Sequence, residues 1–235
     1  SILKERFNLN SESKIVEIGS NDGVLLKPMM DLGLNPVGFE PAVNISKIAK
    51  DKGCNVINDY FNEENGIKYI GENKVDLIVS NNCFAHINDI HSIVRGINKI
   101  LKKDGHFVIE VHYVKNLIEG KQIDNSYHEH LYYYSLNALN NLFGQYKMSI
   151  VDFEEIPIHA GSIRVIVKNS FELQPKKVID RLYEERELGL TKFDYFKNFA
   201  KDIEKQIKII KEELINLNSK GINSPHTVPV EEPRF

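Results

Sequence analysis

The densest chemical cluster in the 235-residue chain is Tyr127-His128-Glu129-His130, followed at once by Tyr132-Tyr133-Tyr134. An imidazole titrates near neutrality, and beside a carboxylate and a phenol it is suited to taking a proton from a bound substrate. Two other readings stand next to that one. His128 and His130, two apart on an extended segment, would share a face and could begin a metal site. Zinc needs three or four ligands, however, and none follows at the usual spacing, so no metal is expected. The segment could also be polar core, its histidines bonded to backbone groups.

A second group of residues has a different character. Gly19 and Gly23 bracket a turn in Val16-Glu17-Ile18-Gly19-Ser20-Asn21-Asp22-Gly23, where absent side chains let the backbone bend sharply and approach a ligand. The spacing is GxxxG. Asn21 would crowd a pyrophosphate, and Asp22 puts a negative charge where phosphate would lie, which disfavours a dinucleotide. A cationic ligand reverses that sign. S-adenosylmethionine carries a sulfonium and an ammonium, which Glu17 and Asp22 could orient, while N–H groups of the turn receive its carboxylate. About 20 residues on, Gly38-Phe39-Glu40-Pro41 places a carboxylate where it can accept both ribose hydroxyls. Glu40 could equally cap the helix that follows, although glutamate is a poor N-cap. Asp59 and Tyr60 could flank the adenine by a hydrogen bond or by stacking, or Tyr60 could belong to the core. Asn81, Asn82 and His86 follow the fourth strand, between cofactor and acceptor.

Together the two groups point to a type of acceptor. Many methyl transfers to oxygen or nitrogen use a nucleophile that is already competent, whereas carbon needs a proton removed next to a carbonyl and donors for the resulting enolate oxygen. His130 or His128 could be the base, and Tyr127 and His86 the donors. Methylation of carbon is therefore the leading expectation. Two alternatives are transfer to oxygen or nitrogen of a sugar or small metabolite, and a non-catalytic binding or assembly module. An NAD-dependent oxidoreductase is disfavoured by Asn21 and Asp22.

The elements that must position these residues read as an α/β fold. Strands are expected at Lys14 to Ile18, Pro36 to Phe39, Asn55 to Ile57, Val75 to Val79 and His106 to Val111, with helices starting near Val24, Val43, Asn62 and Asp89 between them. Right-handed crossovers send the carboxyl ends of these strands to one edge, where ligands bind. A helix from Leu136 to Phe143 and strands at Ser149 to Glu154 and Ile163 to Val167 complete a seven-stranded, mostly parallel sheet with helices on both faces and a reversed last strand. Residues 1–170 form this domain, 171–220 a helical extension ending in a long helix, and 221–235 an extended or disordered tail rich in proline. In the long helix Phe196, Ala200, Ile203, Ile207, Ile210, Leu214 and Leu217 make an a/d seam that could pack on its own domain or join a second chain as a homodimer.

A net charge of −3 offers no basic face for nucleic acid, and a small-molecule partner is expected. Cys54 and Cys83 are isolated and form neither a disulfide framework nor a zinc knuckle, in keeping with a reducing cytoplasm. No apolar run is long enough to span a membrane, and no membrane partner is expected.

The sequence resembles the C-methyltransferases that act on keto-deoxysugar nucleotides at C3. The resemblance runs through Val16 to Gly23, Gly38-Phe39-Glu40-Pro41-Ala42, Asn81 to Ile87, Ile118 to His130, Tyr134-Ser135-Leu136 and His159-Ala160-Gly161-Ser162-Ile163-Arg164. It implies a class I, Rossmann-like methyltransferase fold, S-adenosylmethionine as cofactor and a nucleotide-linked 4-keto sugar as acceptor. It also implies that His130 is the base, that Tyr127, Glu129 and His86 line the acceptor pocket, that Glu40 takes the ribose, and that Gly19 and Gly23 frame the methionine part. Members usually begin with a cysteine-rich zinc module and end with a second nucleotide-fold domain. The chain is accordingly expected to be a central part of such an enzyme or a reduced relative.

Overall fold

The structure is a computed structural model that describes residues 2–158 and 161–221. In chain order its elements are α1 (Ile2–Arg6), β1 (Lys14–Ile18), α2 (Leu26–Asp31), β2 (Asn35–Phe39), α3 (Val43–Asp51), β3 (Asn55–Ile57), α4 (Glu63–Ile70) and β4 (Val75–Asn81). Then come α5 (Ile90–Ile100), β5 (Leu101–His112), α6 (Val114–Glu119), α7 (Leu136–Gly144), β6 (Ser149–Ile156), β7 (Ser162–Lys168), α8 (Lys176–Leu188) and α9 (Phe193–Ser219).

The strands form one sheet in the order β3-β2-β1-β4-β5-β7-β6. β1 to β5 run parallel, and β7, the last in sequence, is antiparallel to both of its neighbours. The pleat divides the core between two faces, as alternation requires. Val16, Ile18, Ile78, Phe107 and Ile109 pack with Ile93, Val94 and Ile97 of α5, Leu136, Leu139 and Phe143 of α7, and Val178 and Leu182 of α8. Ile15, Leu77, Val79, Val108 and Ile166 turn the other way, onto Met29 of α2 and Leu3 of α1. Local side chains mark several helix starts. The side chains of Asn62, Asp89 and Ser135 accept the backbone N–H of Asn65, Ser92 and Ala138, at the first turns of α4, α5 and α7.

The boundaries differ from expectation in three places. α2 begins at Leu26 instead of Val24, because Gly23 at φ +83° is still turning and Val24 is exposed. β5 reaches back to Leu101, which pairs with Val75 before a register shift brings His106 opposite Leu77. The first compact unit extends to Thr191, beyond the expected limit of 170, and so takes in α8. The reason is that α8 buries Val178, Leu182 and Glu185. The second unit begins at Lys192 and contains α9, a single 27-residue helix. Along its seam Ile210 is exposed, while Ile207, Leu214 and Leu217 are half-buried. Of the tail expected from 221 to 235, residues 222–235 lie outside the described ones, as do His159 and Ala160. Among the described residues no helix is long and apolar enough to cross a membrane.

Candidate active site

At the carboxyl ends of β1, β2 and β4 the chain builds a cleft of about 500 Å³ whose lining includes Ile18, Gly19, Phe39, Pro41, Tyr60 and His86. Its floor is the turn after β1. The N–H groups of Gly19 and Ser20 both donate to the Phe39 carbonyl, at 3.0 Å each, and this ties the turn to the end of β2. Gly19 sits at φ +73°, and a Cβ there would come within 2.7 Å of Cys83 Sγ. Both facts restrict the position to glycine and leave its backbone bare toward the cleft. Gly38 is demanded from below, since a Cβ would approach Ser20 Oγ to 2.3 Å.

Glu40 binds backbone on both sides of the cleft floor but does not cap α3, whose N-cap is Ala42 without a side-chain bond. Its carboxylate accepts the N–H of Asn21 at 3.0 Å and that of Ala42 at 2.9 Å, so it fastens the turn after β1 to the segment leading into α3. A carboxylate has about four acceptor positions, and two bonds leave capacity for hydroxyl donors. Glu17 is 3% exposed, and its Oε2 is buried with no hydrogen-bond partner among the described residues. Burial pushes its carboxyl up to about 8. An acceptor stranded in this way fits a cationic donor arriving at the turn. The Cys83 thiol is raised to about 11, first by burial and then by the charge of Glu40.

Other expected contacts divide. Asp22 turns to Lys52, at 2.6 Å, and this partner holds its carboxyl below the ordinary range. Asp59 accepts the Tyr60 N–H at 2.8 Å and the Tyr69 hydroxyl at 3.2 Å, while Tyr60 is exposed at the cleft wall. Asn82 is held at φ +49°, with its N–H on the Glu110 carbonyl and its Oδ1 buried. Asn81 does not meet the cleft. The pleat of β4 sends it to the α2 side, where it lines a separate cavity of about 290 Å³ with Val79, Val108 and Arg164.

The histidine segment folds over the same strand ends. Leu131 N–H donates to the Ala85 carbonyl at 2.8 Å, pinning the segment to the turn after β4. His130 is buried at 8% exposure, whereas His128 and Glu129 are exposed. Among the described residues Tyr127, His112, His86 and Tyr133 pack around His130. Its Nε2 lies 2.9 Å from the Tyr127 hydroxyl, its Nδ1 lies 3.1 Å from His112 Nδ1, and its ring centroid is 4.7 Å from that of His86. His86 Nδ1 in turn lies 3.0 Å from the Glu129 carbonyl oxygen. Burial, ahead of the neighbouring Tyr133 and Glu129, raises the Tyr127 phenol above its ordinary range and keeps it a proton donor at neutral pH. His86 belongs to both halves, since it lines the cleft and touches the ring of His130.

His112 is the site residue that sequence inspection passed over. Its signal was available, because it stands at the carboxyl end of β5, the edge where ligands of such sheets bind. Among the described residues no group of three His, Cys, Asp or Glu side chains is placed to hold a metal ion.

Residues 1–152, more than half of the chain, match a family model described as a methyltransferase domain. The chain belongs to that methyltransferase family. The methyltransferase is 34% identical over 205 residues to C-methyltransferase NovU of Streptomyces niveus, an alignment covering 86% of this chain. It spans 49% of that relative's length. Among solved structures, PH0226 protein from Pyrococcus horikoshii OT3 matches with a TM-score of 0.59 at 11% identity, over 71% of this chain and 85% of the other. The Burkholderia thailandensis 1,6-didemethyltoxoflavin-N1-methyltransferase, solved with bound S-adenosylhomocysteine, matches with a TM-score of 0.55 at 15% identity, over 72% and 75%. At these identities the structural likenesses establish the class I methyltransferase fold, the one expected from the order of strands and helices.

Proposed function

We propose that this methyltransferase uses S-adenosylmethionine to methylate a carbon next to a ketone, on a nucleotide-linked 4-keto-deoxysugar. The observation that carries the reading is the contact of His86 with both the cleft and His130, which brings a cofactor-sized space against a buried base. The name of the relative, a C-methyltransferase, supports the same chemistry. In this reading Glu17 receives the ammonium of the cofactor, Glu40 the ribose hydroxyls, and the bare backbone at Gly19 its methionine part. Tyr60 and Pro41 bound the adenine end, with Asn82 between cofactor and acceptor. When bound, the cofactor supplies a methyl group on a positively charged sulfur, electrophilic and ready to leave a neutral thioether.

The residues of the chain prepare the nucleophile. His130 Nε2 takes the proton from the sugar carbon, and the C–H electron pair passes into the enolate. The Tyr127 phenol, displaced from Nε2 by the acceptor, donates to the enolate oxygen, with His86 alongside and Glu129 on the sugar hydroxyls. The enolate carbon then takes the methyl, the ketone is restored, and His130 returns its proton to solvent. Removing the base should cost about 10²- to 10⁴-fold in transfer. His130→Ala is therefore expected to lose transfer to that extent while binding S-adenosylmethionine as tightly as the native protein in calorimetry. Normal turnover of the variant would remove His130 from the mechanism. Incorporation of solvent deuterium next to the ketone of a nucleotide-linked 4-keto sugar, in native protein without cofactor, is the outcome that distinguishes carbon from oxygen or nitrogen as acceptor.

A further inference from the structure

We infer that His112 is a positioning residue for the base, holding His130 in the tautomer whose Nε2 is free of its own proton. The inference rests on the reading of His130 as base. Its physical support is two contacts of His130, one at each ring nitrogen. The Nδ1 atoms of His112 and His130 face each other at 3.1 Å, and a hydrogen bond there needs a proton on one of them only. At the opposite nitrogen the Tyr127 hydroxyl lies 2.9 Å away. With the phenol as donor to Nε2, both contacts are satisfied when neutral His130 carries its proton on Nδ1 and gives it to His112 Nδ1. That is the tautomer a base acting through Nε2 requires, and with the phenol as donor an accepting His112 Nδ1 holds it.

The placement of the two rings explains why this partner is needed. His130 lies on the segment between Asn125 and Ser135, which has no regular structure. His112 closes β5, opposite Ser162 of β7, and the next residue, Tyr113, donates its N–H to the Gly161 carbonyl at 3.1 Å. A strand-held imidazole therefore indexes a loop-held one, and both are buried at 8% exposure. When His130 takes the substrate proton, His112 accepts from the resulting imidazolium along the same bond and keeps its ring in place. The role is that of the orienting member of a catalytic pair, filled by a neutral acceptor.

Protein labelled with ¹⁵N in its imidazoles tests this without any ligand, His130 being assigned by comparison with His130→Ala. At mildly alkaline pH, where imidazoles are neutral, native His130 should show a protonated Nδ1 and an unprotonated Nε2. His112→Leu should move the proton of His130 to Nε2, and His112→Asn, whose amide oxygen can accept from Nδ1, should restore the native pattern. In turnover, the leucine variant should lose kcat by roughly ten- to hundredfold, the size found when an imidazole loses its orienting partner, with KM unchanged and recovery in the asparagine variant. A native His130 with its proton on Nε2, or a tautomer indifferent to His112→Leu, overturns the inference. Either result leaves the base assignment to the separate test on His130→Ala, so the two readings fail independently.

Discussion

Glu17 is a carboxyl group that the fold has buried at the mouth of a turn, and its titration is the clearest single-residue consequence of that placement. Its pKa in the folded protein, about 8, lies above the ordinary 4.5. A group raised in this way contributes stability that is complete below the lower value and lost as pH climbs through the higher one. Native protein should therefore lose stability relative to Glu17→Gln between about pH 4.5 and about pH 8, as read by urea unfolding at a series of pH values; a constant gap across that window contradicts the assignment. A cation at the turn favours the ionised carboxylate. Binding of S-adenosylmethionine near neutral pH should accordingly release a proton, and its apparent heat should differ between buffers of different ionisation enthalpy. Most of the residues around this turn were legible from type and spacing, because Gly19, Gly23, Glu17 and Glu40 lie within short reach of strand ends. Two features were not. Nothing in residue type separates His128 from His130, which differ only in which of them the folded segment buries, and the direction of Asp22 depends on Lys52, a residue contributed by the end of α3.

At the scale of elements, the least anticipated feature is how α8 secures α7. Glu185 is fully buried and accepts four hydrogen bonds at 2.7 to 2.8 Å: from Tyr113 Oη, from the N–H groups of Leu136 and Asn137, and from Asn137 Nδ2. A carboxylate on the first turn of α7 satisfies N–H groups that no helical carbonyl can reach and matches the positive end of the helix. Burial and this carboxylate together hold the Tyr113 phenol far above its ordinary range. Glu185→Ala would strand several buried donors at once. It should cost about 3 kcal/mol or more in urea unfolding, and Glu185→Gln, which keeps one acceptor oxygen, clearly less. Equal losses in the two variants would show that packing volume dominates the site. The charged, amphipathic pattern of 171–220 suggested an appendage because Glu185 looks like a surface residue among Arg181, Glu184 and Arg186. Its partners come from residues 48 or more positions earlier, and no local pattern announces them.

For the whole molecule, the proposed cofactor cleft and the proposed base share one sheet edge within the unit ending at Thr191. Binding to the folded state alone stabilises it by about 2.7 kcal/mol at a hundredfold excess over Kd. S-adenosylhomocysteine at that excess should raise the unfolding midpoint by a corresponding amount in the native chain and equally in His130→Ala, because the base takes no part in holding it. Absence of any shift at millimolar ligand would argue against the cofactor, and a shift lost in His130→Ala would tie the base to the cofactor half.

The strands, the crossover helices and the acid-rich glycine turn followed from the chain alone, because each rests on a short period or a short spacing that backbone geometry translates directly into structure. A reversed last strand at one sheet edge also followed from the order of elements, whereas its insertion between β5 and β6 came from the fold. What awaited the fold was every relation between segments distant in sequence. His112 meets His130 across 18 positions and His86 meets the Glu129 carbonyl across 43, while Asn81 is carried away from the cleft by the pleat of its strand. Such pairings are set by register and packing, and these depend on the assembled sheet, whose whole set of neighbours no single stretch of residues contains.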